Sequence, residues 1–209
     1  MYEKFGQFID GKWQASSNKE TYEVINPANE EVIGHASKAT PEDVDRALKS
    51  AEKGLEVWKK TSPWKRSSVI RKIADLIRAK QDVLAKWITL EVGKPFLEGK
   101  GEVGATADIF EWNSEETKRI YGQTVESRFE DTRIHVYYQP IGVVAAMSPW
   151  NFPLVLSGRK ISTALAAGCS VIIKPDVIAP GGVMELVDIC REAGVPPGVV
   201  NLLSGDPPS

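Results

Sequence analysis

The sequence predicts an α/β protein: an incomplete doubly wound parallel sheet preceded by helices and by a projecting β-segment. Three observations predict it. Over 141–203, three short apolar runs alternate with two helix-length stretches, each closed by glycine, which is the rhythm of a parallel sheet with crossover helices. Over 40–122, apolar residues recur at helical spacing. Over 133–139, apolar and polar residues alternate instead, as on a strand with one exposed face. The chain divides accordingly into 1–122, 123–139 and 140–209, and the rhythm stops after its third strand. A doubly wound sheet normally continues into a further helix there, so Pro207-Pro208-Ser209 reads as a cut rather than a natural end.

The elements follow in order. Residues 7–13 read as a β-hairpin turning at Asp10-Gly11. Asn26-Pro27-Ala28-Asn29 is a second turn, between apolar segments 22–25 and 31–33. Thr40 is a good N-cap, followed by Pro41 at the first helical position and acidic Glu42 and Asp43. Val44, Ala47, Leu48, Ala51, Leu55 and Trp58 form that helix's apolar face. After Ser62-Pro63 one stripe runs through Ile70, Ile73, Ala74, Ile77, Leu84 and Ile88, stopped by Gly93. A third helical stretch spans 96–121 and ends at Gly122. The run 141–147 reads as a strand covered on both faces. A helix over 154–167 ends at Gly168. The next strand is 170–174. A helix over 180–193 ends at Gly194, and the last strand is 199–203.

Composition restricts the function. A net charge of −2 and a pI near 5.8 give no electrostatic reason to expect nucleic acid or membrane as partner. There is no apolar run of membrane-spanning length, and the charged N-terminus carries no signal peptide. Cys169 and Cys190 read as reduced packing residues of a cytoplasmic protein. The two histidines, His35 and His135, are far apart in sequence, so no metal site is expected.

Ligands of a parallel sheet gather at the carboxyl ends of its strands. Three tips are visible: Met147 to Pro153, Lys174-Pro175-Asp176, and Ser204-Gly205-Asp206. Asn151 sits between two prolines. Its amide is a candidate hydrogen-bond donor to a developing oxyanion, or else a cap for the following helix. Lys174 either is simply solvated or reaches a ribose or phosphate. A working site needs the Asn151 amide and the Lys174 amine to project from neighbouring tips into one crevice.

Ser148-Pro149-Trp150-Asn151-Phe152-Pro153, then 164–169 (ALAAGC), 171–175 (VIIKP) and 193–201 (AGVPPGVVN) resemble the aldehyde dehydrogenase superfamily, in order and at its spacing. Residues 8–13 (FIDGKW), 26–28 (NPA) and 90–95 (LEVGKP) resemble the family's opening, so the similarity covers essentially the whole chain. The resemblance implies a Rossmann-like cofactor domain, made of 1–122 and 140–209, with 123–139 as an oligomerisation segment. It implies an NAD(P)-dependent oxidation of an aldehyde, a semialdehyde among the candidates, to a carboxylic acid, in a homo-oligomer. Asn151 matches the family's oxyanion-holding asparagine. Lys174 matches the lysine that binds the adenosine ribose or its 2′-phosphate. Ser148 and Trp150 match positions whose main chain lines the cofactor channel. Arg159 matches an arginine that grips a carboxylate in succinate semialdehyde dehydrogenases, although arginine also occurs there in members with other substrates, and a structural ion pair is the other reading.

The sequence also departs from the family. Many NAD-using members have a ribose-binding glutamate where this chain has Val177. The adjacent Asp176 is the nearest carboxylate, and the choice between NAD and NADP stays open. Gly181-Gly182 opens a helix, either for close approach of adenine or a neighbouring element, or simply as its start. The family's nucleophilic cysteine and general-base glutamate fall beyond position 209, so the chain alone is expected to be inactive. A short non-catalytic assembly or regulatory protein on the same fold is the rival reading, and a simple nucleotide-binding module is a weaker one.

Overall fold

The computed structural model describes residues 2–206; the expected break at 207–209 lies outside them. Its centre is a five-stranded sheet in the order β2-β1-β9-β8-β7. The parallel part is β7 (Val143–Met147), β8 (Ser170–Lys174) and β9 (Val200–Leu202). The hairpin β1 (Gln7–Ile9) and β2 (Lys12–Gln14) extends it antiparallel through Phe8 opposite Leu202. The hairpin turns as expected: Asp10 and Gly11 both have positive φ, 53° and 76°, which a two-residue turn requires. Buried Gln7 fixes this junction. Its amide bonds the carbonyls of Ser37 and Ser204 and accepts from the Ser204 amide at 2.8 Å. A separate pair, β3 (Thr21–Ile25) and β4 (Val32–Ser37), leads into the first helix.

Helices cover both faces of the sheet. α5 (Pro153–Ala167) and α6 (Gly181–Ala193) are the crossovers between parallel strands and lie together on one face. Each ends at a glycine in the left-handed region, Gly168 and Gly194, because glycine, lacking a Cβ, takes that conformation at little steric cost. α1 (Pro41–Trp58) packs on the opposite face. Its start is a full capping box: the Thr40 hydroxyl accepts from the Asp43 amide, and the Asp43 carboxylate accepts from the Thr40 amide at 3.0 Å. α2 (Pro63–Ala79), α3 (Gln81–Val92) and α4 (Phe96–Glu116) form an outer layer over α5 and α6. The main core runs from Phe8 and Trp58 to Phe110, Leu154 and Ile173, and a second small cluster joins Ile9, Ala47 and Leu203.

Four sequence expectations need correction. The single stripe 70–88 belongs to two helices, α2 and α3. Only Lys80 leaves helical geometry (φ −101°, ψ 21°), so the seven-residue step from Ile77 to Leu84 survives the break. Val44 and Leu48 are exposed rather than in the core. α1 instead buries Ala47, Ser50, Ala51, Gly54 and Trp58, because small residues let it lie close against the chain at Gly198. β7 is not covered on both faces. It is an edge strand, with Ala145 and Met147 exposed, since among the described residues it pairs only with β8. Finally, the 133–139 strand exposes both faces. It is β6 (Arg133–Val136), paired only with β5 (Gln123–Glu126) in a ribbon off the core, with Val125, Ile134, Tyr137 and Tyr138 exposed.

The approach of α1 to Gly198 is checkable. A Cβ at Gly54 would lie 2.2 Å from the Gly198 carbonyl carbon, whereas one at Gly101, on the exposed side of α4, meets nothing. Gly54→Ala should lower the urea midpoint by an amount worth about 1–3 kcal/mol. Gly101→Ala should raise it by about 0.5–1 kcal/mol.

Candidate active site

The carboxyl tips of β7 and β8 are held in register. Met147 pairs with Lys174, and the Ser148 amide extends the ladder by bonding the Lys174 carbonyl at 3.2 Å. Met147 and Lys174 line a cavity of about 590 Å³ on the α1 face, together with Val44, Leu48, Gly205 and Asp206. The residues that left the expected core of α1 are therefore the apolar wall of this cavity. Lys174 is half-buried, and among the described residues its ammonium makes one long hydrogen bond, 3.4 Å, to the neighbouring Pro175 carbonyl. Lys38 and Asp206 pair at 2.7 Å at the cavity's rim. Asp176 does not offer its carboxylate there. Its Oδ1 accepts from the Ile178 amide at 3.1 Å in a local turn.

Asn151 lies in the turn between β7 and α5. It does not cap the helix: the cap position is Phe152, and α5 receives no side-chain cap from it. The cap comes from another element. Glu102 of α4 places Oε1 at 3.0 Å from the Leu154 amide and 3.4 Å from the Val155 amide. Its Oε2 bonds Lys94 at 2.5 Å. The Lys94 ammonium also donates to the Asn151 carbonyl at 3.2 Å and sits 3.8 Å above the Phe152 ring. On the other side of the turn, the buried Ser148 hydroxyl lies 2.7 Å from that of Ser157. Among the described residues, nothing hydrogen-bonds the exposed Asn151 side chain. Trp150 beside it is half exposed. Asn151 and Lys174 thus leave adjacent tips, as expected, but the described residues do not form the expected single crevice, because the cavity holding Lys174 is not lined by Asn151.

The start of α6 repeats the arrangement. Pro180 supplies no side-chain cap. Glu91 of α3, fully buried, accepts from the Gly181 amide at 2.6 Å, the Gly182 amide at 3.1 Å and the Tyr2 hydroxyl. A Cβ at Gly181 would lie 2.4 Å from the Trp87 ring and 2.7 Å from Glu91. Gly181 therefore admits the close approach of α3, whereas a Cβ at Gly182 would make only ordinary contacts. Burial pushes the Glu91 carboxyl up to about 7, against the three hydrogen bonds that favour its charged form. Neither helix start is left open to an anion.

Arg159 lines a second groove of about 520 Å³, on the α5 side of β7, with Gln139, Ile141, Val144 and Thr163. It is exposed and forms no ion pair with a described residue. Ala145 and Ala146 line both grooves, so β7 alone separates them. Cys169 and Cys190 are both buried free thiols, and burial pushes Cys190 up to about 12. Among the described residues no three of His, Cys, Asp and Glu group as a metal site, and no helix is long and apolar enough to cross a membrane. Sequence reasoning missed Glu91, Lys94 and Glu102. The available signal was indirect: helices opening on Phe152-Pro153 and on Pro180-Gly181 carry no local cap, so an acceptor must come from elsewhere.

Comparison with known proteins agrees with this architecture. The family model described as "Aldehyde dehydrogenase family" matches residues 13–209. The glutarate-semialdehyde dehydrogenase of Pseudomonas putida is 41% identical over 198 residues, covering 95% of this chain and 41% of that protein. The succinate semialdehyde dehydrogenase of Acinetobacter baylyi is 42% identical over the same length, with the same coverage. A crystal structure of an NADP-dependent enzyme of Escherichia coli superposes with a TM-score of 0.95 at 38% identity, covering 99% of this chain and 43% of that one. The chain thus spans about two fifths of the length of the relatives it matches.

The buried Glu91 makes stability depend on pH. Its folded value near 7 lies above the ordinary 4.5, so the folded state binds the extra proton between the two. Its contribution is full below pH 4.5 and is lost as pH rises through 7. Urea midpoints measured from pH 4.5 to 7.5 should fall for the wild type by more than for Glu91→Gln, which cannot titrate. Parallel curves for the two proteins would refute the assignment.

Proposed function

Because this chain belongs to the aldehyde dehydrogenase family, we propose that it carries the oxyanion-holding asparagine and the ribose end of the cofactor crevice of an NAD(P)-dependent dehydrogenase. The reaction is oxidation of a semialdehyde to the corresponding carboxylic acid. One observation carries this reading: Asn151 is fixed through its main chain, and its side-chain amide is exposed and free of partners. A primary amide held ready costs nothing to reorganise when charge develops on a substrate oxygen.

The residues fit one end of NAD or NADP. Lys174 keeps an almost unpaired ammonium beside an apolar cavity, suited to ribose hydroxyls or a 2′-phosphate. Ser148 and Trp150 border the same tip through their main chain. The name of the E. coli structure includes NADP, and Val177 offers no carboxylate to a ribose, so either cofactor is accommodated. Asp176 engages Oδ1 in its own turn, leaving Oδ2 as the oxygen it could offer a ribose. The pyrophosphate has no seat on α5 or α6, whose starts are filled by Glu102 and Glu91. When bound, the cofactor supplies the hydride acceptor. Asn151 donates to the oxyanion. Arg159, in the groove on the other face of β7, binds the substrate's distal carboxylate through its guanidinium. The names of both semialdehyde dehydrogenase relatives support that substrate class.

Cys169 and Cys190 are too buried to attack an aldehyde, so neither serves as the nucleophile. The exposed apolar side chains of the β5–β6 ribbon suit pairing with another subunit. Two reduced thiols suit the cytoplasm.

The chain alone should form no NADH or NADPH from succinate semialdehyde; turnover would overturn the exclusion of its cysteines. Catalytic roles are tested by joining the chain to the remaining portion of the A. baylyi relative. In an active fusion, Asn151→Ala should lower kcat by about 10²–10³, and an unchanged kcat would reject the oxyanion role. Arg159→Met should raise KM for succinate semialdehyde and leave KM for an uncharged aldehyde unchanged.

A further inference from the structure

We propose that the Lys94–Glu102 pair is a positioning device for the Asn151 amide. The inference rests on the oxyanion reading of Asn151 given above, and it concerns how that amide is held.

The pair is nearly dry, with side-chain exposures of 12% for Lys94 and 1% for Glu102. Charges so buried need every partner the site provides. Glu102 divides its two oxygens between the α5 amides and Lys94. The contact of Glu102 with Leu154 and Val155 is explained by helix capping alone. The contact of Lys94 with Asn151 is not. The first carbonyl in the α5 ladder is that of Phe152, which accepts from Leu156 at 3.0 Å. The Asn151 carbonyl lies one residue before it and is no part of the helix. A hydrogen bond from Lys94 to that carbonyl adds nothing to α5; it constrains only the peptide that carries the amide.

The remaining contacts point the same way. The Lys94 ammonium over the Phe152 ring fixes the next residue. Pro149 and Pro153 limit φ on either side, and Ser148 is tied to Ser157. Every restraint around Asn151 acts on its main chain or its neighbours, and none occupies its side chain. That division is what a preorganised donor requires: a fixed base and an unengaged hydrogen-bonding group. Gly93 in the left-handed region (φ 75°) ends α3 and directs Lys94 to this place.

Nuclear magnetic resonance on the ¹⁵N-labelled chain tests the proposal without any need for activity. The double variant Lys94→Met/Glu102→Gln keeps both stems and leaves no unpaired charge. Its glutamine still accepts from Leu154, so α5 should keep its amide protection and the urea midpoint should stay close to wild type. The backbone order parameter of Asn151 should fall from about 0.85 to below about 0.6, and the Asn151 side-chain NH₂ should become mobile with it. Lys94→Arg, which retains a donor, should restore the order. If the double variant loses its fold, Lys94→Gln gives the same readout, because its shorter side chain cannot serve both Glu102 and the Asn151 carbonyl. An Asn151 order parameter unchanged by these substitutions, or one that falls only in step with protection along all of α5, overturns the positioning role. In the fusion enzyme, an Asn151→Ala variant with undiminished kcat would sink the oxyanion reading alone; the order parameters decide the clamp independently.

Discussion

Glu91 and Glu102 each carry a carboxylate from one helix onto the free amides at the start of another, and the layout of the molecule depends on these two contacts. A helix start leaves several N–H groups without partners, and α5 and α6 begin with residues that cannot cap themselves. Each is completed from the outer layer instead, by α4 for α5 and by α3 for α6. The outer helices are therefore more than a lid over the sheet. They are bonded to the carboxyl end of it, the end where a doubly wound fold places its chemistry.

The short segment 91–95 does much of this. Glu91 closes α6 and anchors Tyr2 of the N-terminal segment. Gly93 turns the chain, and Lys94 reaches the Asn151 peptide. Both acids sit where solvent cannot relieve them, and the consequences differ with the partners available. Glu91 has only neutral donors and is pushed toward its protonated form. Glu102 is ion-paired with Lys94 beside the Asn151 turn.

The two grooves on either side of β7 give the edge strand its meaning. On the α1 face, Val44 and Leu48 leave the core to line the cavity that contains Lys174. On the α5 face, Arg159 stands in a groove of its own. Lys174 and Arg159 are thus separated by one strand, with the Asn151 turn at its tip. An apolar strand with one unpaired edge exposes backbone groups that seek partners, and beside it Met147 and Ile141 also lie open to solvent.

The sequence by itself determined the elements and their order. Turn residues, caps and apolar spacing are local, so the Asp10-Gly11 hairpin, the Thr40 cap and the glycine ends of α5 and α6 were legible from neighbours in the chain. The motif around Asn151 was legible as well, by resemblance. What only the tertiary structure decided was every relation between distant residues. It showed that the stripe 70–88 is two helices, that α1 turns Ser50 and Gly54 inward rather than Val44 and Leu48, and that Asn151 is no cap because Glu102 is. Periodicity records which residues are apolar, but not the rotation at which a helix meets its neighbour or which carboxylate 52 positions away fills an empty helix start. Those outcomes are set by close packing and by the demand that buried polar groups find partners, and both act only once the chain has folded.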